Sequence, residues 1–313
     1  MNFLRFLEGI RTPFLDTLFS LITHLGEETV FILVGIVFFW CIDKEKGYFI
    51  LSVGFVSTVL NSFLKLLFRI PRPWVKDPSF TIVESARAEA TGYSFPSGHT
   101  QTAVGVFGSI ARLTRGRTVR ILCIAACVAV PLSRMYLGVH TPLDVSVAAV
   151  VSLALVLGLY PLMRRIAKST KGMLIFFGAT VGISLAFLLY VLLYRFPSDI
   201  DPANYASGLK NAYKLLGCTL GIFIAYLLDV RYIHFDTRAP LLGQVLKVVL
   251  GLLPLLLVKE GFRYPLALIF GDSPIADGVR YLLLTLVAGG VWPLTFARFS
   301  RITLKKREKS AKS

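Results

Sequence analysis

Acidic residues are scarce in this chain. Its 313 residues include 18 Asp and Glu against 34 Lys and Arg, a formal net charge of +16. Histidine and cysteine are scarcer still, with four of each. These shortages exclude several chemistries. The carboxylates nowhere cluster as a Mg²⁺ or Zn²⁺ site requires, so neither a metal nor any other cofactor is expected. Cys41, Cys123, Cys127 and Cys218 all fall in apolar runs. Cys123 and Cys127 share a helix face, but no His or third Cys lies nearby. They read as small buried hydrophobes, not as a metal site or a disulfide.

Long polar stretches are also few. Hydrophobic residues make up 55% of the chain and the mean hydropathy is +0.69, too apolar for a soluble enzyme with one large core. Apolar runs of roughly span length recur, separated by short polar links. The expected fold is all-α, a polytopic integral membrane helical bundle of about eight or nine transmembrane helices plus an N-terminal interfacial helix. Phe3, Leu7, Ile10, Phe14, Leu18, Ile22 and Leu25 form one stripe that Pro13 interrupts, as in an amphipathic helix lying in the interface, with a short first span as the alternative. Spans are expected over 28–42, 47–68, 97–112, 119–132, 142–163, 172–194, 215–228, 245–258 (kinked at Pro254) and 279–296. Four segments follow: residues 1–27 as N-terminal interfacial helices, 28–165 as a catalytic helical bundle, 166–297 as a C-terminal transmembrane extension, and 298–313 as a basic, disordered tail.

The positive charge points to a membrane and away from nucleic acid. Counting spans by parity, the links 43–46, 112–120 and 164–171 share one face with the tail, and all are basic. The positive-inside bias makes that face cytoplasmic. The polar clusters around 65–99 and 133–144 then share the extracytoplasmic face. Lys65, Arg69, Arg72, Lys76 and Arg87 run against this bias unless some of them serve a site. No cleavable signal peptide is expected, because Glu8 lies among the first residues and no small-residue cleavage site follows an apolar core. The expected location is the cell membrane, in a bacterium the inner one, as a multi-pass protein.

Three clusters on the extracytoplasmic face carry chemistry. In Ser133-Arg-Met-Tyr-Leu-Gly-Val-His-Thr-Pro-Leu-Asp144, Thr141 and Pro142 read as N-cap and first residue of a helix. Asp144 then falls in the first turn, where it can hold one nitrogen of His140 and leave the other free. Arg134 offers a forked donor for a phosphate or carboxylate. A capping box at Thr141 and Asp144, with Arg134 as an interfacial anchor, is the plainer alternative. In Phe95-Pro-Ser-Gly-His99, Ser97 can cap a span, and its hydroxyl with the amides of Gly98 and His99 would form an anion site; a capping Ser beside an incidental His is the alternative. In Lys65-Leu-Leu-Phe-Arg-Ile-Pro-Arg72-Pro73, Lys65 and Arg72 share a helix face if the helix persists that far, against simple snorkelling of Lys65. His24 and His234 lie in other links and read as ordinary interfacial residues.

Lys-x6-Arg-Pro, then Pro-Ser-Gly-His, then Ser-Arg-x5-His-x3-Asp resembles the three-part signature of the type-2 phosphatidic acid phosphatase superfamily, which also holds vanadium-dependent haloperoxidases. Lys65, Arg72, Pro73, Pro96, Ser97, Gly98, His99, Ser133, Arg134, His140 and Asp144 match it in order and spacing. The resemblance covers roughly residues 10–165 and says little of the rest. It implies that His140 is the nucleophile and forms a phosphohistidine, that Asp144 fixes its tautomer, and that His99 protonates the leaving oxygen and later activates water. Lys65, Arg72, Arg134, Ser97 and the Gly98 amide would hold the phosphoryl oxygens.

The function expected is therefore that of a metal-independent lipid phosphatase, acting at the extracytoplasmic face on a lipid phosphate or pyrophosphate. Undecaprenyl pyrophosphate, phosphatidic acid and phosphatidylglycerophosphate all suit. A phosphotransferase with the same site, or a lipid transporter or flippase keeping the motif for binding, are the alternatives. Partners are the lipid phosphate and membrane lipid; no oligomeric state is read from the sequence. The 77–91 link, with Glu84, Arg87 and Glu89, is expected to shape headgroup choice.

Overall fold

The structure is a computed structural model and describes residues 1–88 and 90–302. Among the described residues the regular structure is helical. Two short helices open the chain, α1 (Asn2–Gly9) and α2 (Pro13–Thr23). Thr12 caps α2 by accepting from the Leu15 amide, and Pro13 occupies its first turn, where a missing N–H costs nothing. Pro13 thus starts the second helix after the break expected there. A turn at 24–26 leads into α3 (Glu28–Val37), which runs on to Ile42; this segment is bent by 49° from the one before it.

Next come α4 (Lys44–Phe68), the short α5 (Pro73–Lys76), α6 (Gly98–Leu113), α7 (Arg117–Tyr136), α8 (Pro142–Ile166) and α9 (Thr170–Leu193). The second half holds α10 (Pro202–Leu228), α11 (Leu241–Leu256), α12 (Arg263–Phe270), α13 (Pro274–Leu286) and α14 (Phe296–Ser300). Among the described residues seven helical segments are long and apolar enough to cross a membrane, and eight if the bent pair is one span. The chain is a polytopic helical bundle.

The span boundaries differ from the sequence expectation where polar residues disguise a helix. The helix expected from residue 215 begins at Pro202, capped by Asp201, and its first turns carry Asn204, Lys210 and Lys214. At the other end of the chain the last helix runs to Ser300, and residues 303–313 of the expected tail lie outside the described residues.

Helix α4 is the hub, packing against α3, α6, α8, α9 and α10. At one end of the bundle the core is aromatic: Phe39, Trp40, Tyr48, Phe177, Tyr226, Phe235 and Phe296 are all buried there. The basic links gather at this same end. Arg112 and Arg164 both lie over the Tyr160 ring, at 4.4 and 5.8 Å. Lys44 pairs with the buried Asp229 at 2.6 Å.

The opposite end is roofed by α1 and α2. Arg5 pairs with Asp77 at 2.7 Å, Glu8 accepts from the Thr81 amide at 2.8 Å, and Arg11 donates to the carbonyls of Thr81 and Tyr136 at 2.9 and 3.1 Å. Tyr136 in turn donates to Asp16 at 2.8 Å and stacks on Phe19. Each exposed pair is worth little alone, about 0–1 kcal/mol, but together they tie the first 16 residues to the loop that follows α5. Gly138 permits the closest approach. Its φ is +83°, and a Cβ there would lie 2.7 Å from Arg11 Nη2, so any larger residue is opposed by both backbone and neighbour.

Candidate active site

The expected site residues sit under this roof, at the ends of α4, α6, α7 and α8. Helix α4 stops at Phe68, with Arg69 in the left-handed region at φ 50°. Pro71 explains the stop, since a proline disfavours helix in the residue before it. The helix does not persist to Arg72, so Lys65 and Arg72 do not share a helix face. They converge by another route: both reach the loop 91–97.

That loop organises the cations through backbone oxygens. Lys65 Nζ donates to the Tyr93 carbonyl. Arg72 donates from Nη2 to Thr91 O at 2.7 Å, from Nε to Gly92 O at 3.1 Å, and from Nη1 to Val139 O at 2.9 Å. Arg72 is 6% exposed, and these three bonds offset the cost of burying its guanidinium. A fourth bond runs from Nη1 to His140 Nε2, also at 2.9 Å.

This last contact assigns the His140 tautomer. A guanidinium only donates, so His140 Nε2 presents its lone pair and the ring proton lies on Nδ1. Nδ1 faces Asp144 Oδ2 at 3.6 Å and Ser94 Oγ at 3.5 Å, both beyond a good hydrogen bond. Ser94 closes the gap by donating to the same carboxylate oxygen at 2.6 Å. His140 lies in the link between α7 and α8 and is 2% exposed. Burial first, then the positive charges of Arg72, Arg134 and Lys65, hold its pKa well below the ordinary histidine value. Both effects favour the neutral ring, whose Nε2 lone pair faces Arg72.

Asp144 performs the plainer role as well. Thr141 Oγ1 accepts from the Asp144 amide at 3.3 Å and Asp144 Oδ2 accepts from the Thr141 amide at 2.7 Å, a complete capping box. Its Oδ1 is buried and meets no donor among the described residues. One carboxylate thus caps α8 and faces the imidazole.

Ser97 caps α6 through the Thr100 amide at 3.4 Å, and its own N–H donates to Asp144 O at 3.1 Å. The starts of α6 and α8 are thereby joined, with Gly98 and half-buried His99 in the first turn of α6. Arg134 is fully buried near the end of α7. Its Nη1 donates to Thr23 Oγ1 at 2.8 Å, and its carbonyl accepts from the Val139 amide.

Three positions escaped the sequence reading. Ser94 carries no motif of its own. Thr23, from the end of α2, holds Arg134 across 111 positions of sequence. Gly26 abuts His99: a Cβ there would lie 2.7 Å from His99 O. The turn that contains His24 is therefore part of the site's surround rather than a remote interfacial link. Glu84 and Arg87 of the 77–91 link pair with each other at 2.8 Å in an exposed turn; Glu89 lies outside the described residues.

A buried imidazole whose lone pair meets an arginine, backed by a carboxylate and fringed by cations inside a helical membrane bundle, defines a class of phosphate-handling membrane proteins. Comparison with known families agrees. Residues 46–168 match the model of the PAP2 superfamily, and residues 213–307 match that of the PAP2 superfamily phosphatase transmembrane extension. The chain belongs to the PAP2 superfamily. The second match reaches into the half of the chain on which the motifs are silent.

Phosphatidylglycerophosphatase B of Bacillus subtilis is 31% identical over 149 residues, covering 44% of this chain and 69% of the relative. A probable sphingosine-1-phosphate phosphatase of Dictyostelium discoideum is 27% identical over 254 residues, 77% of this chain and 59% of the relative. Undecaprenyl-diphosphatase BcrC of Bacillus subtilis is 34% identical over 100 residues, 32% of this chain and 49% of the relative. The alignment with the Dictyostelium protein and that with the mouse sphingosine-1-phosphate phosphatase 1 span 59% and 63% of those relatives' lengths. No solved structure matches this chain.

Proposed function

We propose that this protein is an integral-membrane, metal-independent lipid phosphatase that works through a phosphohistidine. The observation that carries the reading is the 2.9 Å contact between Arg72 Nη1 and His140 Nε2. A cation that meets the nucleophile's lone pair is already beside the point where a phosphoryl oxygen would sit during attack.

The roles in this reading are those the family signature implies. His140 Nε2 attacks phosphorus in line with the ester oxygen; the N–P bond forms as the P–O bond breaks. The leaving oxygen takes a proton from His99, which is protonated once the negatively charged phosphate has entered between the cations. Water then attacks the phosphohistidine and gives its proton to His99, the N–P bond breaks, and inorganic phosphate leaves with the lone pair restored to Nε2. The positive charge on the substituted ring faces Asp144. Lys65, Arg72 and Arg134, with Ser97 and the Gly98 amide, bear the charge that builds on the equatorial oxygens.

Residues 28–165 form the catalytic bundle in this reading, 1–27 its interfacial roof, 166–297 the C-terminal extension and 298–313 a cytoplasmic tail. The site end is extracytoplasmic, because the links bearing Lys44, Lys46, Arg112, Arg117, Arg164 and Lys171 lie at the other. Substrates are lipid phosphates or pyrophosphates, the classes named for the relatives above. The test is phosphate release from lipid phosphates in detergent with EDTA present. Release is expected, with its loss in His140→Ala and a ³²P-labelled, acid-labile, base-stable phosphoenzyme in the wild type. Dependence on added metal, or full activity in His140→Ala, would overturn the reading.

A further inference from the structure

Helices α7 and α8 both pack along α6 and make little contact with each other. The gap between them is a groove of about 590 Å³. Its floor is α6, at Val104 and Gly108. Its walls are Ile124 and Cys127 of α7 and Leu153 and Leu157 of α8. The three- and four-residue spacings put each pair on one helix face. Ile124, Leu153 and Leu157 are exposed on the outside of the bundle, so the groove opens sideways to lipid.

One end of this apolar groove is rimmed by arginine. Arg112, in the last turn of α6, and Arg120, in the first turns of α7, both line it, and no carboxylate does. Arg115 and Arg117 lie between the two in sequence. Arg112 lies over the Tyr160 ring at 4.4 Å. A ring engages the flat face of a guanidinium and not the N–H groups at its edge. Arg120 donates from Nη2 to Thr114 O at 2.9 Å, which holds it at the rim and uses one of its donors. Arg164 shares the Tyr160 ring at 5.8 Å but lies in a separate hollow with Asp43 and Glu45. The groove gives Arg112 and Arg120 no such counter-charge. Gly116 offers α7 no side-chain cap, so the positive end of that helix adds to the same rim.

The length of the groove selects its occupant. On α6, Arg112 and Val104 are eight residues apart, on the order of 12 Å at the helix rise. One leaflet of hydrocarbon is about 15 Å deep, half of a core about 30 Å thick. A spanning helix of a partner would need the full thickness, whereas an acyl chain needs one leaflet. The rim supplies what a tail alone cannot use, forked donors that match a phosphate and a charge that matches an anion. We propose that the groove binds an anionic phospholipid from the leaflet at the end away from His140. Its phosphate meets Arg112 and Arg120, and one acyl chain lies along α6. This lipid is a bound partner and not a substrate. The three helices it wedges carry Ser97, Arg134 and Asp144 at or near their other ends, so it braces the site from the opposite side of the bundle. The inference rests on the membrane bundle and not on the phosphatase reading.

The test is native mass spectrometry of the delipidated full chain in detergent. It is incubated with equal amounts of phosphatidylserine and phosphatidylcholine bearing the same acyl chains. Retention of phosphatidylserine is expected to exceed that of phosphatidylcholine about tenfold. Arg112→Gln combined with Arg120→Gln is expected to bring that ratio near one, and Arg112→Lys with Arg120→Lys to keep most of it. The ratio is taken on one preparation, so the fraction of folded protein cancels. Arg72→Gln, at the phosphate site, is expected to leave it unchanged. Equal retention in the wild type, or a preference that survives the glutamine pair, would overturn the assignment. A preference lost in Arg72→Gln would place the lipid at the phosphate site and overturn it too. So would a dimer that Gly108→Leu dissociates, since a second copy would then fill the groove. Phosphate release tests the phosphatase reading separately and is untouched by each of these outcomes.

Discussion

Two helix interfaces in this molecule answer the same problem in opposite ways. Lipid gives helices no hydrophobic reason to associate, so contact packing or hydrogen bonding must hold them. Between α10 and α13 the answer is contact. A Cβ on Gly217 would lie 2.1 Å from Gly278 O, and one on Gly221 1.8 Å from Thr285 Oγ1. The backbones touch, and nothing is left over to meet a ligand. Among α4, α6 and α8 the answer is polar: Ser57, Asn61, Gln101 and Ser152 bridge the three helices. Such groups can exchange one partner for another. The interface built from them borders the His140 centre, and the close-packed one does not.

The largest expected effects separate the two interfaces cleanly. His140→Ala removes the attacking nitrogen and is expected to lower turnover by at least about 10⁴-fold, with thermal unfolding in detergent unchanged. Gly221→Leu should do the reverse. Its side chain has no space against Thr285, so the α10–α13 contact opens and stability falls by roughly 3 kcal/mol or more. Activity per folded molecule should hold. Unfolding measured beside single-turnover assays checks both. A Gly221→Leu protein of normal stability would show that the backbones need not touch.

Ser94→Ala tests the polar interface at its edge. Ser94 is fully buried and its hydroxyl stands between His140 and Asp144. Losing a hydrogen bond to a charged group is worth about 1.5–3 kcal/mol, so kcat should fall roughly 10- to 100-fold. KM should change little, because Ser94 positions the carboxylate and does not touch phosphate. A loss confined to KM would assign Ser94 to binding.

Much of this architecture could be read along the chain, because local signals announced it. Thr141, Pro142 and Asp144 mark the start of α8 by their own chemistry, and the apolar runs mark most spans. The misses share one cause, which is that the decisive partner is distant in sequence. Ser94 acts on residues 46 and 50 positions away, and Thr23 on one 111 away. Neither position has any feature that distinguishes it from an ordinary hydroxyl in a loop or at a helix end. Arg72 was paired with Lys65 by helical spacing, yet Pro71 ends that helix, and it is the carbonyls of Thr91, Gly92 and Tyr93 that bring the two cations together. The early start of α10 stayed hidden because Lys210 and Lys214 break the apolar pattern, although Asp201 and Pro202 form a proper helix start.

The finest test concerns the proton on His140. The ring sits between cations, and its pKa is held below the ordinary histidine value by burial and then by Arg72. The sign follows directly: the neutral form, with the proton on Nδ1, persists to lower pH than in a free histidine, and only below the depressed pKa does Nε2 take up a proton and cease to be a nucleophile. Selective ¹⁵N-histidine NMR in detergent is expected to show a neutral, Nδ1-protonated ring at pH 6. Arg72→Gln removes one of the cations, so the transition should move upward, toward the ordinary range. A His140 that titrates at the ordinary value in the wild type, or that carries its proton on Nε2, would mean that Arg72 does not rest on the nucleophile's lone pair. The polar end of the bundle would then lose the contact on which its chemistry is built.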